Sequence, residues 1–102
     1  MQIIEEVGDY INDEIADASK YAKKAIAIKN QFPSLAETLY RLSQEEMGHM
    51  QALHNEVEKI IMDYRKEHGD PPVPMQAVYD YRHGKSIESA KEAKILQAMY
   101  RE

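Results

Sequence analysis

Residues 35–64, LAETLYRLSQEEMGHMQALHNEVEKIIMDY, decide the fold of this chain. Apolar side chains recur in this stretch at alternating intervals of three and four residues, which is the period of one face of an α-helix. The stripe consists of Leu35, Leu39, Leu42, Glu46, His49, Leu53, Val57, Ile60 or Ile61, and Tyr64. We predict a long helix over residues 34–68, with Pro33 in its first turn, where a missing N–H costs no intrahelical hydrogen bond.

The preceding segment, residues 2–31, has the same period and contains no proline. Its stripe consists of Ile4, Val7, Ile11, Glu14, Ala18, Tyr21, Ala25 and Ile28. Two consecutive stripes of this length predict a long antiparallel helical hairpin that turns near residue 32. At 1.5 Å per residue the two helices would be roughly 45 and 50 Å long, so they need a partner surface of similar length.

The last third of the chain has a weaker pattern. The sequence GDPPVP at residues 69–74 is the strongest turn signal in the chain, and Gly84 marks a second break. We predict two short helices, over residues 75–83 and 86–101, with Ser86 as the N-cap of the second. The chain is therefore expected to be all-α, with a hairpin domain over residues 1–68 and a turn with short helices for packing or oligomer contacts over residues 69–102.

Composition narrows the classes of function. The 102 residues suffice for one small domain, and 13 basic against 18 acidic residues give a net charge of −5. This excess of carboxylates argues against nucleic acid as a partner and favours cations as ligands. The chain has no cysteine, which excludes disulfides and thiolate metal sites. No apolar run approaches the roughly 20 residues of a membrane span, and no signal peptide is recognisable, so we expect no membrane partner and a cytoplasmic location.

Three ionisable residues interrupt the two stripes: Glu14, Glu46 and His49. The last two form Glu-x-x-His, whose side chains share one helix face. In a hairpin that turns at residue 32 or 33, positions at equal height have numbers that sum to about 65. This places His49 within roughly 3 Å of rise of Glu14, and Glu46 less than one turn further along. We therefore predict that they meet near the middle of the hairpin.

Two interpretations of this meeting point remain open. Polar residues in a helical seam can fix the register of the packed helices without binding anything. Alternatively, the two carboxylates hold a cation, because burying them without a positive charge is costly and the stripes offer no lysine or arginine at this height.

Half of a di-metal site is present in this chain. Di-iron and di-manganese bundles use one glutamate from each of two helices and Glu-x-x-His from each of the other two. The segment over residues 86–101 cannot supply the second half, since Lys91 and Ile95 stand where a histidine would follow Glu88 or Glu92. A two-fold homodimer would complete a four-helix bundle with four carboxylates and two imidazoles, which balances the charge of two ferrous ions.

The stretches EIADASKYAKKA at residues 14–25 and LSQEEMGH at residues 42–49 resemble the ferritin-like, rubrerythrin-type half-domain, and the single-copy layout is similar to that of the encapsulated ferritins. The resemblance implies a site in which Glu46 bridges the two irons, His49 caps each iron, and Glu14 is a terminal or bridging ligand. It also implies that Tyr21 takes part in catalysis, as a hydrogen-bond donor to a ligand carboxylate or as an oxidisable group. The alternative for Tyr21 is an ordinary tyrosine of the core. A homodimer, a larger ring, and a shell-associated assembly inside a protein nanocompartment are the partners it suggests.

These expectations combine in one hypothesis and its rivals. The hypothesis is a ferroxidase that oxidises Fe(II) with dioxygen or peroxide at two irons per dimer, serving iron storage or peroxide detoxification. Manganese and zinc suit the same donors. The rivals are a metal-free helical oligomerisation or interaction module, and a dimer that zinc or calcium stabilises without redox chemistry.

Overall fold

The computed structural model describes residues 1–102, and all regular structure in it is helical. Helix α1 spans Gln2–Ile28, helix α2 spans Pro33–His68, and helix α3 spans Val73–Arg101. The chain is thus all-α, as predicted. None of the three helices combines the length and the hydrophobicity that crossing a bilayer requires.

Proline and glycine set the limits of α2. Pro33 occupies the first turn, in agreement with the sequence prediction. At the other end Gly69 adopts φ 75°, a left-handed conformation that glycine enters without steric cost, and its N–H donates to the carbonyl of Arg65. Arg65, Lys66 and His68 lie in the last turn, where positive charge complements the helix dipole.

The prediction of two short helices over residues 75–83 and 86–101 is wrong, because α3 is one continuous helix of 29 residues. Gly84 lies inside it; a helical glycine costs only about 1 kcal/mol relative to alanine, less than breaking the helix would. Ser86 is not an N-cap. Its hydroxyl lies 2.7 Å from Oδ1 of Asn12 in α1 and 3.2 Å from the carbonyl of Arg82, so it fastens α3 to α1.

The chain directions follow from side-chain contacts. Ile11 in the first half of α1 shares a buried cluster with Val57 in the second half of α2. Ala25 near the end of α1 clusters with Ala36 and Tyr40 at the start of α2. The two helices therefore run in opposite directions.

Helix α3 runs parallel to α1. Arg82 contacts Asp9 at 2.9 Å near the start of α1, and Lys29, just after the end of α1, donates to the carbonyl of Tyr100 near the end of α3. The resulting molecule is elongated, with extents of 56 × 19 × 19 Å.

The core of this elongated molecule is thin. Only 11 of 102 residues are buried, and the middle of α1 contributes mainly alanines. Many large apolar side chains therefore stay exposed: Met1, Ile3, Tyr10, Phe32, Leu35, Met62, Val73, Met75, Val78, Tyr81, Ile87, Ile95 and Met99.

One buried hydroxyl joins the three helices. Ser43 of α2 is fully buried, and its Oγ donates to the carbonyl of Ala18 in α1 at 2.6 Å. The same Oγ accepts a hydrogen bond from Nε2 of Gln97 in α3 at 2.9 Å. Ser43 is the only fully buried polar residue, and its hydroxyl makes a hydrogen bond to each of the other two helices.

We predict that Ser43→Ala lowers the free energy of unfolding by about 1–3 kcal/mol, because it leaves the Gln97 amide without its acceptor in a water-poor position. Urea unfolding followed by circular dichroism measures this. Ser89→Ala, an exposed serine in α3, is the control and should leave stability unchanged or slightly higher. Equal midpoints for the two variants would contradict the role assigned to Ser43.

A second polar contact joins α3 to α2 at the end of the bundle that carries the α1–α2 turn. The Tyr100 ring stacks on Tyr40 with ring centroids 4.7 Å apart, and its hydroxyl donates to Oε2 of Glu37 at 2.9 Å. Burial raises the pKa of the Tyr100 phenol, and the hydrogen bond to Glu37 and its negative charge raise that pKa further.

Because the folded-state pKa of Tyr100 lies above the unfolded value of about 10, folding holds this proton more tightly, and stability falls as pH rises past that value. We predict that the urea midpoint of the wild-type protein drops more steeply between pH 9 and 11 than that of Tyr100→Phe. The Tyr79 phenol, whose pKa is also raised, titrates in both proteins and is therefore subtracted by the comparison. Parallel pH profiles would contradict the prediction.

Candidate metal centre

Glu14, Glu46 and His49 come together where α1 crosses the middle of α2. One donor atom from each lies within 4.8 Å of the other two. Nδ1 of His49 is 3.4 Å from Oε2 of Glu14 and 3.8 Å from Oε2 of Glu46. The i, i+3 spacing of Glu46 and His49 brings their side chains onto one face of α2, and α1 supplies Glu14 from the opposite side.

The carboxylates are more enclosed than the imidazole. The Glu46 side chain is 19% exposed and that of Glu14 is 27%, against 62% for His49. Oε2 of Glu14 is shielded from solvent and has no hydrogen-bond partner. The His49 nitrogen does not satisfy it, because 3.4 Å exceeds the usual N–H···O range. A buried carboxylate oxygen without a donor is a costly arrangement that a cation would relieve.

No lysine or arginine forms an ion pair with Glu14 or Glu46. No lysine or arginine side chain therefore neutralises these two carboxylates. Two carboxylates and one imidazole suit first-row divalent metals, and three protein donors leave coordination positions open. The donor set fits a transition metal better than calcium, which takes six to eight oxygen ligands.

The cluster lies on a face that α3 leaves uncovered. Helix α3 contacts α1 through Asn12 and α2 through Ser43. At about 100° per residue, Glu14 is rotated by about 160° from Asn12, and His49 by about 120° from Ser43. The donors therefore face away from α3, consistent with the exposure of His49.

Tyr21 is half-buried two turns along α1 from Glu14, and its hydroxyl forms no hydrogen bond to either carboxylate. The ammonium group of Lys20 lies 6.0 Å from the centroid of its ring. The catalytic role that the family resemblance implies for Tyr21 stays a prediction.

Sequence reasoning missed Ser43, which lies one turn before Glu46 and anchors that turn to the other two helices. A small polar residue between two stripe positions was the available signal. Sequence reasoning also missed the stacked imidazoles of His54 and His83, whose ring centroids are 5.1 Å apart and which connect α2 to α3. Their contact depends on α3 continuing through Gly84.

The comparison with known proteins adds no relative. No family model, no curated protein and no solved structure matches this chain. The resemblance to ferritin-like half-domains thus rests on the sequence stretches that carry it. The candidate metal centre rests on the convergence of Glu14, Glu46 and His49.

Proposed function

We propose that this chain is a ferritin-like ferroxidase that works as a two-fold dimer, with Fe(II) as substrate at Glu14, Glu46 and His49 of both subunits. The observation that carries the proposal is the buried, unpartnered Oε2 of Glu14 beside a second carboxylate and an imidazole. Three donors from each of two subunits make half-sites that together hold two metal ions.

The charge of the site supports a pair of divalent ions. One cluster carries two carboxylates, so a dimer carries four, and two Fe(II) ions bring four positive charges. When two Fe(II) each lose one electron, dioxygen takes up the two electrons with two protons and becomes hydrogen peroxide. Glu14 and Glu46 would stabilise the added positive charge, because carboxylates in a poorly hydrated site interact strongly with it.

Apolar side chains on the same face support the dimer. Ile3 and Tyr10 of α1 are about half exposed and lie within about 40° of Glu14 around the helix. Leu35 of α2 is 52% exposed and lies about 40° from His49. A second copy placed on this face would cover the apolar side chains and shield the imidazole from water.

The charges of α1 favour an antiparallel approach of two α1 helices. Every charged side chain before Lys20 in this helix is acidic, and every one from Lys20 onward is basic: Glu5, Glu6, Asp9, Asp13, Glu14 and Asp17 precede Lys20, Lys23 and Lys24. A two-fold axis perpendicular to α1 near Ala16 would place each acidic half beside a basic half. Lys20 would then lie near Asp13 of the partner subunit, at the level of the candidate metal centre.

Metal binding and Fe(II) oxidation are tested by substituting two neighbouring glutamates, Glu46 and Glu45, one at a time. Purified wild-type protein should bind two Fe(II) per dimer and accelerate aerobic Fe(II) oxidation, measured by ferric absorbance and by metal analysis. Glu46→Gln keeps the shape but removes a ligand charge, and should abolish the accelerated oxidation and reduce metal binding by at least about tenfold. Glu45→Gln, at an exposed position next to it, should behave as the wild type.

Two other results of this experiment would each support one of the alternative functions. Absence of bound metal in wild-type protein, with Glu46→Gln indistinguishable from it, would make the chain a metal-free interaction module. Stable zinc or calcium binding without Fe(II) oxidation would make the site structural. Either result overturns the ferroxidase proposal.

The dimer prediction uses charge reversal outside the metal ligands. Lys20→Glu and Asp13→Lys should each weaken the dimer by about tenfold in Kd, because each places like charges at both symmetry-related contacts. An equimolar mixture of the two variants should dimerise with near wild-type affinity, since both contacts then join opposite charges. Sedimentation equilibrium measures all three. If the mixture is no tighter than the separate variants, this orientation of the dimer is excluded.

A further inference from the structure

A groove of about 750 Å³ runs between the three helices, apart from the candidate metal centre. Its deepest walls are apolar and come from Ile11 and Ile15 of α1 and from Val57 and Ile61 of α2. Along α1 it extends from Met1 to Ile15, which is about 21 Å of helix. A mostly apolar cleft of this volume falls in the size range of small-molecule sites.

Two of the four lysine and arginine side chains that line the groove already have polar partners. Arg82 lies 2.9 Å from Asp9, and Arg65 donates to the amide oxygen of Gln76 at 3.0 Å. The remaining cations, Lys91 and Lys94 of α3, are exposed and have no hydrogen-bond or ion-pair partner.

Those two lysines lie one helical turn apart, so they share a face of α3. The only carboxylate in the lining is Glu5. Since α3 runs parallel to α1 with Ser86 opposite Asn12, Lys91 stands about 18 Å along the groove from Glu5. One end of an apolar groove is thus positively charged without compensation, in a protein whose net charge is −5.

We propose that this groove binds one long-chain carboxylate, with the alkyl chain against the apolar walls and the carboxylate between Lys91 and Lys94. The apolar walls would contact the alkyl chain of the ligand. The two unpaired lysines would bind an anionic head group at one end of the groove only. This site is independent of the ferroxidase proposal, because it lies on another side of the α1–α2 pair.

The volume favours a small molecule over a helix of a second copy. A helix with side chains is about 10 Å in diameter, so ten residues of it occupy roughly 1200 Å³, more than the groove offers. A helix seated there would also leave the two lysines unpaired unless it carried acidic residues at one position along its length.

The test measures binding of dodecanoate and of dodecyltrimethylammonium, both below their micelle concentrations, by isothermal titration calorimetry on the full chain. Wild-type protein should bind dodecanoate at one site and the ammonium analogue at least about tenfold more weakly. The double variant Lys91→Glu with Lys94→Glu should reverse this preference. The control, Lys59→Glu with Lys66→Glu on α2, makes the same change in net charge at two residues outside the groove lining and should keep the wild-type preference. It also removes the exposed Lys59–Glu56 ion pair, which contributes little to folding.

A second variant tests the apolar walls. Ile87 lines the groove and is 44% exposed, so Ile87→Glu should fold and should weaken dodecanoate binding by about tenfold. Fe(II) oxidation should be the same in all these variants as in the wild type. The proposal is overturned if dodecanoate fails to bind the wild-type protein, if both amphiphiles bind equally, or if sedimentation shows that Ile87→Glu dissociates a dimer in which the groove was covered.

Discussion

Two carboxylates held at the contact of two helices, without a lysine or arginine in an ion pair with them, are the constraint on which the proposed function depends. In water each would be fully hydrated, but folding encloses Glu46 and shields Oε2 of Glu14. The free energy of that enclosure must be offset elsewhere. Packing of the α1–α2 pair can offset part of it, and a bound cation would relieve the rest. The same arrangement that weakens the empty fold would therefore strengthen metal binding, since binding to the folded chain stabilises it by mass action.

The position of α3 determines which face of the α1–α2 pair stays open beside the two carboxylates. By packing on the side of α1 that carries Asp9 and Asn12, α3 leaves the Glu14 side of the helix pair open. A monomer with so few buried residues has little apolar burial to stabilise it. In the proposed dimer, a second copy on the open face would add apolar burial and complete the ligand set at once, so that folding and metal binding would stabilise the same assembly.

Much of this architecture could be predicted from local sequence signals. Pro33 and Gly69 fix the limits of α2 through backbone conformation alone, and the heights of Glu14 and His49 follow from counting residues across one turn. Helix α3 could not be predicted in the same way. Gly84 suggests a break when read locally, and the helix continues because distant contacts, such as Ser86 with Asn12, hold both halves on α1. Its course beside α1 depends on apolar packing, as of Ala90 and Tyr100 against the two core clusters, and on polar contacts such as Arg82 with Asp9. These contacts join residues far apart in the chain, which no local pattern encodes.

The buried serine of α2 gives the candidate site a mechanical connection to the third helix. Ser43 is three residues before Glu46, so its backbone belongs to the turn that carries this carboxylate. Gln97 donates to the serine hydroxyl, and the serine holds the carbonyl of Ala18, four residues beyond Glu14 in α1. A movement of α3 along its axis would thus displace the turns of α1 and α2 that carry the candidate ligands. Metal binding at Glu14 and Glu46 would in turn restrain that movement of α3.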